Sequence, residues 1–245
     1  MRTRMAAVVG AVLLACLMSM SANATVFSGT ASGEWDNVVS TNASDVYSVN
    51  NNDVGGTARF NWGVPANPTP FDNQFEFDGI GSDGDPGWTT NSETPFLVGL
   101  FTYRNGSTFN SSGIDGVELK VTLNITSPLA QSDVYDFTFF ITNTPNNTGD
   151  PVLDGDIVTV ANSGYTSTNF MYDGVLYTLN LLGFSSDGGA TIRNNFSSAE
   201  AATQGAGVYA RITTQLGPVV PEPATMSLLG LGLAGLAIRR FRKTA

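Results

Sequence analysis

The chain has 245 residues, with 21 acidic side chains against 11 basic ones, a formal net charge of −10, no histidine and a single cysteine, Cys16. Beyond Cys16 there is nothing from which to build a Ser-His-Asp or Cys-His nucleophile, a Cys/His zinc site, a disulfide or a histidine pH switch. Six of the basic residues fall in the first four and last seven positions, which leaves five against 20 acids in the body, a net of −15. Such a surface repels nucleic acid and other polyanions, so no nucleic-acid partner is expected.

At the N-terminus Arg2 and Arg4 precede an apolar run from Met5 to Met18, too short for a comfortable span. Ala22-Asn23-Ala24 then supplies the small-x-small pattern of a signal-peptidase site, so residues 1–24 are expected to be a signal peptide and the mature chain to begin at Thr25. A second reading takes Leu13-Leu14-Ala15-Cys16 as a lipobox with Cys16 acylated.

From residue 25 to 216 the patterning has period two, as a strand buried on one face requires. Short strands are expected at Val26–Gly33, Thr57–Trp62 and Phe75–Phe77. The run from Pro95 to Asn105 is almost continuously apolar as far as Thr102 and reads as a central strand. Alternation is cleanest at Val117, Leu119, Val121, Leu123 and Ile125. It recurs at Phe137, Phe139 and Ile141, at Val175, Tyr177, Leu179 and Leu181, and at Val208, Ala210 and Ile212. The stretch Ser197–Thr203 reads as a short helix. Turns rich in Gly, Asn, Asp, Ser and Pro separate these elements. The expected class is all-β, an antiparallel sandwich or jelly roll.

Three kinds of candidate site stand out. Asp78–Gly87 (DGIGSDGDPG) offers Asp78, Asp83 and Asp85 to a hard cation such as calcium, although it lacks the EF-hand spacing and the same composition makes ordinary solvated turns. Asp150, Asp154 and Asp156 form a second acidic stretch. Trp35, Trp62 and Trp88 would stack on sugar rings if exposed, or fill a core if not. Twenty acids always contain carboxylate pairs, so no catalytic constellation is defined, and neither an enzyme nor a resident cofactor is expected.

The C-terminus has three parts in order: Pro221-Glu222-Pro223, an apolar run from Ala224 to Ile238, and a basic end of Arg239, Arg240, Arg242 and Lys243. Fifteen helical residues rise about 22 Å, short of a roughly 30 Å hydrocarbon core. The basic end should stay cytoplasmic and the body on the far side, with the prolines holding the intervening segment extended. A plain tail anchor would have the same physics. The layout of residues 217–245 resembles the PEP-CTERM sorting signal of Gram-negative bacteria. That resemblance implies cleavage by an exosortase-type transpeptidase, transient tethering to the inner membrane, a secreted or cell-surface destination, and association with exopolysaccharide and biofilm.

Within the body, Phe96-Leu97-Val98-Gly99-Leu100-Phe101-Thr102-Tyr103-Arg104-Asn105 resembles the signature strand of the THxN family of PEP-CTERM proteins and of the similar choice-of-anchor K domain. Thr142-Asn143-Thr144-Pro145-Asn146 and Asp156-Ile157-Val158 resemble that family's Glu-Thr-Pro-Asn and Asp-x-Val stretches. Trp35 after Gly33 and Trp62-Gly63 fit its aromatic-glycine landmarks. Tyr103 stands where the family has histidine and Asn143 where it has glutamate, which favours a structural role for the motif here. Thr102 and Asn105 suit backbone capping at a strand end. The function expected is that of a non-catalytic surface or matrix protein. A glycan-binding module is the alternative, and a calcium-dependent hydrolase a more distant one.

Overall fold

The structure, a computed structural model, describes residues 24–41, 43–51, 56–66, 72–109, 112–160 and 167–215. Ala24–Gln215 form one compact unit. The signal segment with Cys16 and Ala22, the sorting motif Pro221-Glu222-Pro223 and the basic end lie outside the described residues; Ala24 is exposed at the start of the body.

Among the described residues there are 13 strands and no helix. In chain order they are β1 (Val26–Val39), β2 (Tyr47–Asn50), β3 (Thr57–Trp62), β4 (Asn73–Gly79), β5 (Trp88–Asn91) and β6 (Pro95–Asn105). They continue with β7 (Gly116–Ser127), β8 (Gln131–Thr142), β9 (Ile157–Val160), β10 (Thr168–Tyr172), β11 (Val175–Ser185), β12 (Asn195–Ser197) and β13 (Ala202–Gln215). Two antiparallel sheets result, one of six strands in the order β12-β9-β8-β7-β1-β5 and one of seven in the order β10-β11-β13-β6-β4-β3-β2. The longer strands keep one face toward the other sheet, so their alternation in sequence becomes alternation in burial, whereas the edge strands β2 and β12 hold no buried residue.

The strand expected to be central is central: β6 lies between β13 and β4. Its apolar run is nevertheless not buried on both faces, and Leu100 is 48% exposed on the outside. The reason is a bulge. The β13 register jumps from Val208 opposite Gly99 to Tyr209 opposite Leu97, leaving Val98 as the extra residue. Phe96 and Val98 face inward before it, Phe101 and Tyr103 after it, and Leu100 is displaced outward. A second bulge at Leu182 in β11 similarly turns Phe184 inward after Leu181.

The helix expected at Ser197–Thr203 is not formed. Ser197 ends β12, Ala201 turns at φ +56°, and β13 starts at Ala202 paired with Asn105 of β6. Helix propensity in Ser-Ala-Glu-Ala-Ala is worth only tenths of a kcal/mol per residue, less than a place in the central ladder.

Aromatic rings fill the space between the sheets. Trp35 of β1 stacks on Phe75 of β4 with centroids 5.5 Å apart, and Phe101 of β6 stacks on Phe139 of β8 at 5.3 Å. Trp35 also donates its indole N–H to the Ala58 carbonyl at 3.0 Å. Phe77 is fully buried in a slot that only glycine leaves open. A Cβ on Gly33 of β1 would stand 2.3 Å from the Phe77 ring, and one on Gly99 of β6 would stand 2.4 Å from it. Neither neighbour can yield, because the ring has no space to swing into. Gly33→Ala is expected to lower unfolding free energy by about 1–3 kcal/mol in urea titration, and Gly33→Ala with Phe77→Leu to recover part of that loss. A neutral Gly33→Ala would show that the sheets are not in contact through this ring.

Candidate functional site

Three loops meet beyond the last residues of β6. The chain leaves β6 at Asn105 and runs through Gly106 to Phe109, antiparallel to Val64–Ala66, with Ala66 N–H donating to the Ser107 carbonyl at 2.8 Å. The second loop joins β8 to β9 and carries Asn143 to Asp156. The third is the turn between β12 and β13.

Tyr103 organises their junction. Its ring is fully buried, stacked on Trp62 at 5.8 Å and edge-on to Phe75 at 5.0 Å. Its hydroxyl donates to Asp156 Oδ2 at 3.2 Å, and Asp156 Oδ1 accepts the Thr144 backbone N–H at 2.8 Å. Burial pushes the Asp156 carboxyl above its ordinary value, against the opposing pull of the Thr144 and Tyr103 hydrogen bonds. The Tyr103 hydroxyl is pushed well above its ordinary value, first by burial and then by the Asp156 charge.

Asn105, also fully buried, donates its amide to the Ser198 carbonyl at 3.0 Å. Ser107 donates to Glu200, whose carboxyl is pushed up by burial foremost, and Glu200 N–H donates to the Pro151 carbonyl at 2.8 Å. Four polar links thus tie the three loops together.

Of the motif residues read from the sequence, Tyr103, Asn105, Asn143, Pro145 and Asn146 converge here, and Thr102 does not. Thr102 lies within β6 on the outer face, between Glu76 and Gly205, so it caps no turn. Asn105 does not cap locally either: its partner is 93 residues away. Alternation of faces along an extended strand is the physical reason. Tyr103 finds its carboxylate in Asp156. Asn143 stands instead at a cleft of about 280 Å³ that is lined also by Thr108, Phe109, Pro145, Asn146 and Asp156.

The other sequence candidates are placed differently. All three tryptophans are interior, Trp35 at 2%, Trp62 at 1% and Trp88 at 4% exposure, so none offers a stacking platform. Burial, and then repulsion from Asp83, Glu76 and Asp85, raises the Asp78 carboxyl, while Asp83 accepts the Asp85 backbone N–H at 3.2 Å. Among the described residues no three acids converge as metal ligands. In the second acidic stretch Asp154 accepts from Thr148 Oγ1 at 2.7 Å and Gly149 N–H at 3.0 Å, which hold its carboxyl below the ordinary value. Phe109 was overlooked in the sequence. Its signal is an apolar ring inside the wholly polar stretch Gly106-Ser-Thr-Phe-Asn-Ser-Ser.

Against this geometry the comparisons with known proteins locate one feature. The PEP-CTERM protein-sorting motif matches residues 219–243, which include Pro221, Glu222, Pro223, Arg239, Arg240, Arg242 and Lys243. The chain therefore carries the signal of an exosortase-sorted surface protein. No curated protein matches the chain.

The Tyr103–Asp156 bond gives two expectations. Tyr103→Phe removes one donor from a buried acceptor and should cost about 1–2 kcal/mol in urea unfolding, with the Asp156 carboxyl pushed higher still. Because Asp156 holds its proton more tightly folded than unfolded, its contribution is full below the ordinary 3.8 and is lost as pH rises through the raised value. Wild-type stability should therefore fall relative to Asp156→Asn when both are unfolded at a series of pH values from about 3 to about 7. Parallel profiles would mean that Asp156 titrates normally.

Proposed function

We propose that this chain is a non-catalytic protein of the cell surface or extracellular matrix, exported by a signal peptide cut after Ala24 and associated with exopolysaccharide. Its body is related to the THxN and choice-of-anchor K proteins. The observation that carries the reading is the PEP-CTERM motif at residues 219–243, which begins a few residues after β13 completes the compact body. A β-sandwich followed directly by a sorting tail is the layout of a delivered module. The interior acids support a structural role, since Asp154 and Asp156 each accept hydrogen bonds from backbone N–H and hydroxyl donors that hold loops in place.

In this reading residues 224–238 tether the body briefly to the inner membrane, with the basic end on the cytoplasmic side. The exosortase then cuts near Pro221-Glu222-Pro223. Glu222 is the only charge between Arg211 and Arg239, so Glu222→Ala leaves the apolar run intact while removing the feature a cleft would recognise. Full-length Glu222→Ala protein should accumulate in the inner-membrane fraction while wild type is released. Equal release of the two proteins would replace sorting with a plain tail anchor.

A further inference from the structure

We infer that the cleft between the Thr108–Phe109 arm and the Asn143–Asn146 loop is a subsite for one neutral sugar ring of a polysaccharide, an inference that rests on the exopolysaccharide association proposed above. The cleft has the size, the polar groups and the apolar surface that such a ring requires. Its volume, about 280 Å³, lies at the lower limit of small-molecule sites and suits a single ring.

A pyranose presents hydroxyls around its rim, each both donor and acceptor, and an apolar C–H face. Hydrogen-bonding groups with no partner among the described residues line the cleft. Among the described residues, the Asn143 amide and the Thr108 hydroxyl have no hydrogen-bond partner. The Asp156 carboxylate, with about four acceptor positions, takes only the Tyr103 hydroxyl and the Thr144 N–H and hydroxyl. Gly113 makes room on this wall, since a Cβ there would approach the Asn143 amide to 3.0 Å.

Phe109 supplies the apolar face. Its side chain is 55% exposed, an arrangement that costs solvation and fills no core. The backbone beneath it is nevertheless held firmly. Phe109 N–H donates to the Val64 carbonyl at 2.9 Å, and the Phe109 carbonyl accepts both the Ser112 N–H at 2.9 Å and the Ser112 hydroxyl at 2.8 Å. The buried Ser112 hydroxyl also accepts the Val64 N–H at 2.8 Å, closing the arrangement. An exposed ring on an immobilised backbone binds with little ordering cost.

Charge selects the class of sugar. Asp156 lines the cleft, and the Glu200 carboxyl is raised in part by repulsion from Asp156 and Asp154. The local field is negative, so uronic, sulfated and phosphorylated rings are disfavoured and neutral ones accepted.

The test is saturation-transfer NMR on the full-length protein in detergent micelles, with methyl glycosides of glucose, galactose and mannose, N-acetylglucosamine and, as the anionic probe, glucuronic acid. At least one neutral probe should bind, at least tenfold tighter than glucuronic acid. Phe109→Ala and Asn143→Ala should each weaken that binding at least tenfold with an unchanged melting temperature, and Leu100→Ala on the outer sheet face should leave it intact. Phe109 and Asn143 are both exposed, so neither substitution threatens folding. Absence of binding by every probe, binding indifferent to both substitutions, or equal binding of glucuronic acid would each overturn the subsite. The Glu222→Ala fractionation is independent of these titrations, so a failed subsite leaves the sorting reading standing, and the reverse also holds.

Discussion

Everything in the body depends on a layer of aromatic rings pressed between two sheets that no disulfide joins. Each such ring removes roughly 150–250 Å² from water, on the order of 4–6 kcal/mol before entropy is counted. Trp35, Phe75, Phe101 and Phe139 are continuous through this layer, which reaches Phe184 and Phe196 on one side and Tyr103 and Trp62 on another. The sheets approach closely enough to use the rings because glycines stand where they would collide. With every tryptophan consumed in this way, none is left to stack on a ligand.

The site grows out of the same layer. Tyr103 belongs to the core by its ring and to the polar loops by its hydroxyl, so a core position fixes where Asp156 sits. From there Thr144 is held, and with it the loop that carries Asn143 and Asn146. The Ser107–Glu200 and Asn105–Ser198 links fix the other loops against it. Hydrogen bonds of this kind between buried and half-buried groups specify one arrangement of otherwise permissive Gly- and Asn-rich segments.

Legibility in the sequence followed the physics of burial. Long alternating stretches such as Val117–Ile125 could be read directly, because one face of β7 is wet and the other dry. Short strands could not: β5, β9 and β12 are three or four residues long and exist through their neighbours' hydrogen bonds. The same holds for Ala202, whose local preference is helical and whose partner, Asn105, is far away in sequence. At the site, the motif residues were visible as a group, yet Thr102 was misplaced by assuming a turn where the strand continues. Asp156 was visible in an acidic stretch and in the Asp-x-Val pattern, but its burial was not, since that depends on a tyrosine 53 residues distant. Phe109 carried too little local pattern, a lone ring among serines and asparagines.

The position of β13 has a consequence in time. This strand, the last among the described residues, lies between β6 and β11, near the middle of the seven-stranded sheet, while β1 waits for β7 about 85 residues downstream. A chain synthesised from its N-terminus thus cannot close either sheet early, and the larger one stays split until Gln215 is available. Long-range pairing of this sort is slow and leaves the nascent chain extended. The sorting motif follows β13 within a few residues. Completion of the fold and arrival of the sorting signal are therefore nearly simultaneous, so a body that cannot complete its larger sheet is still open when that signal appears.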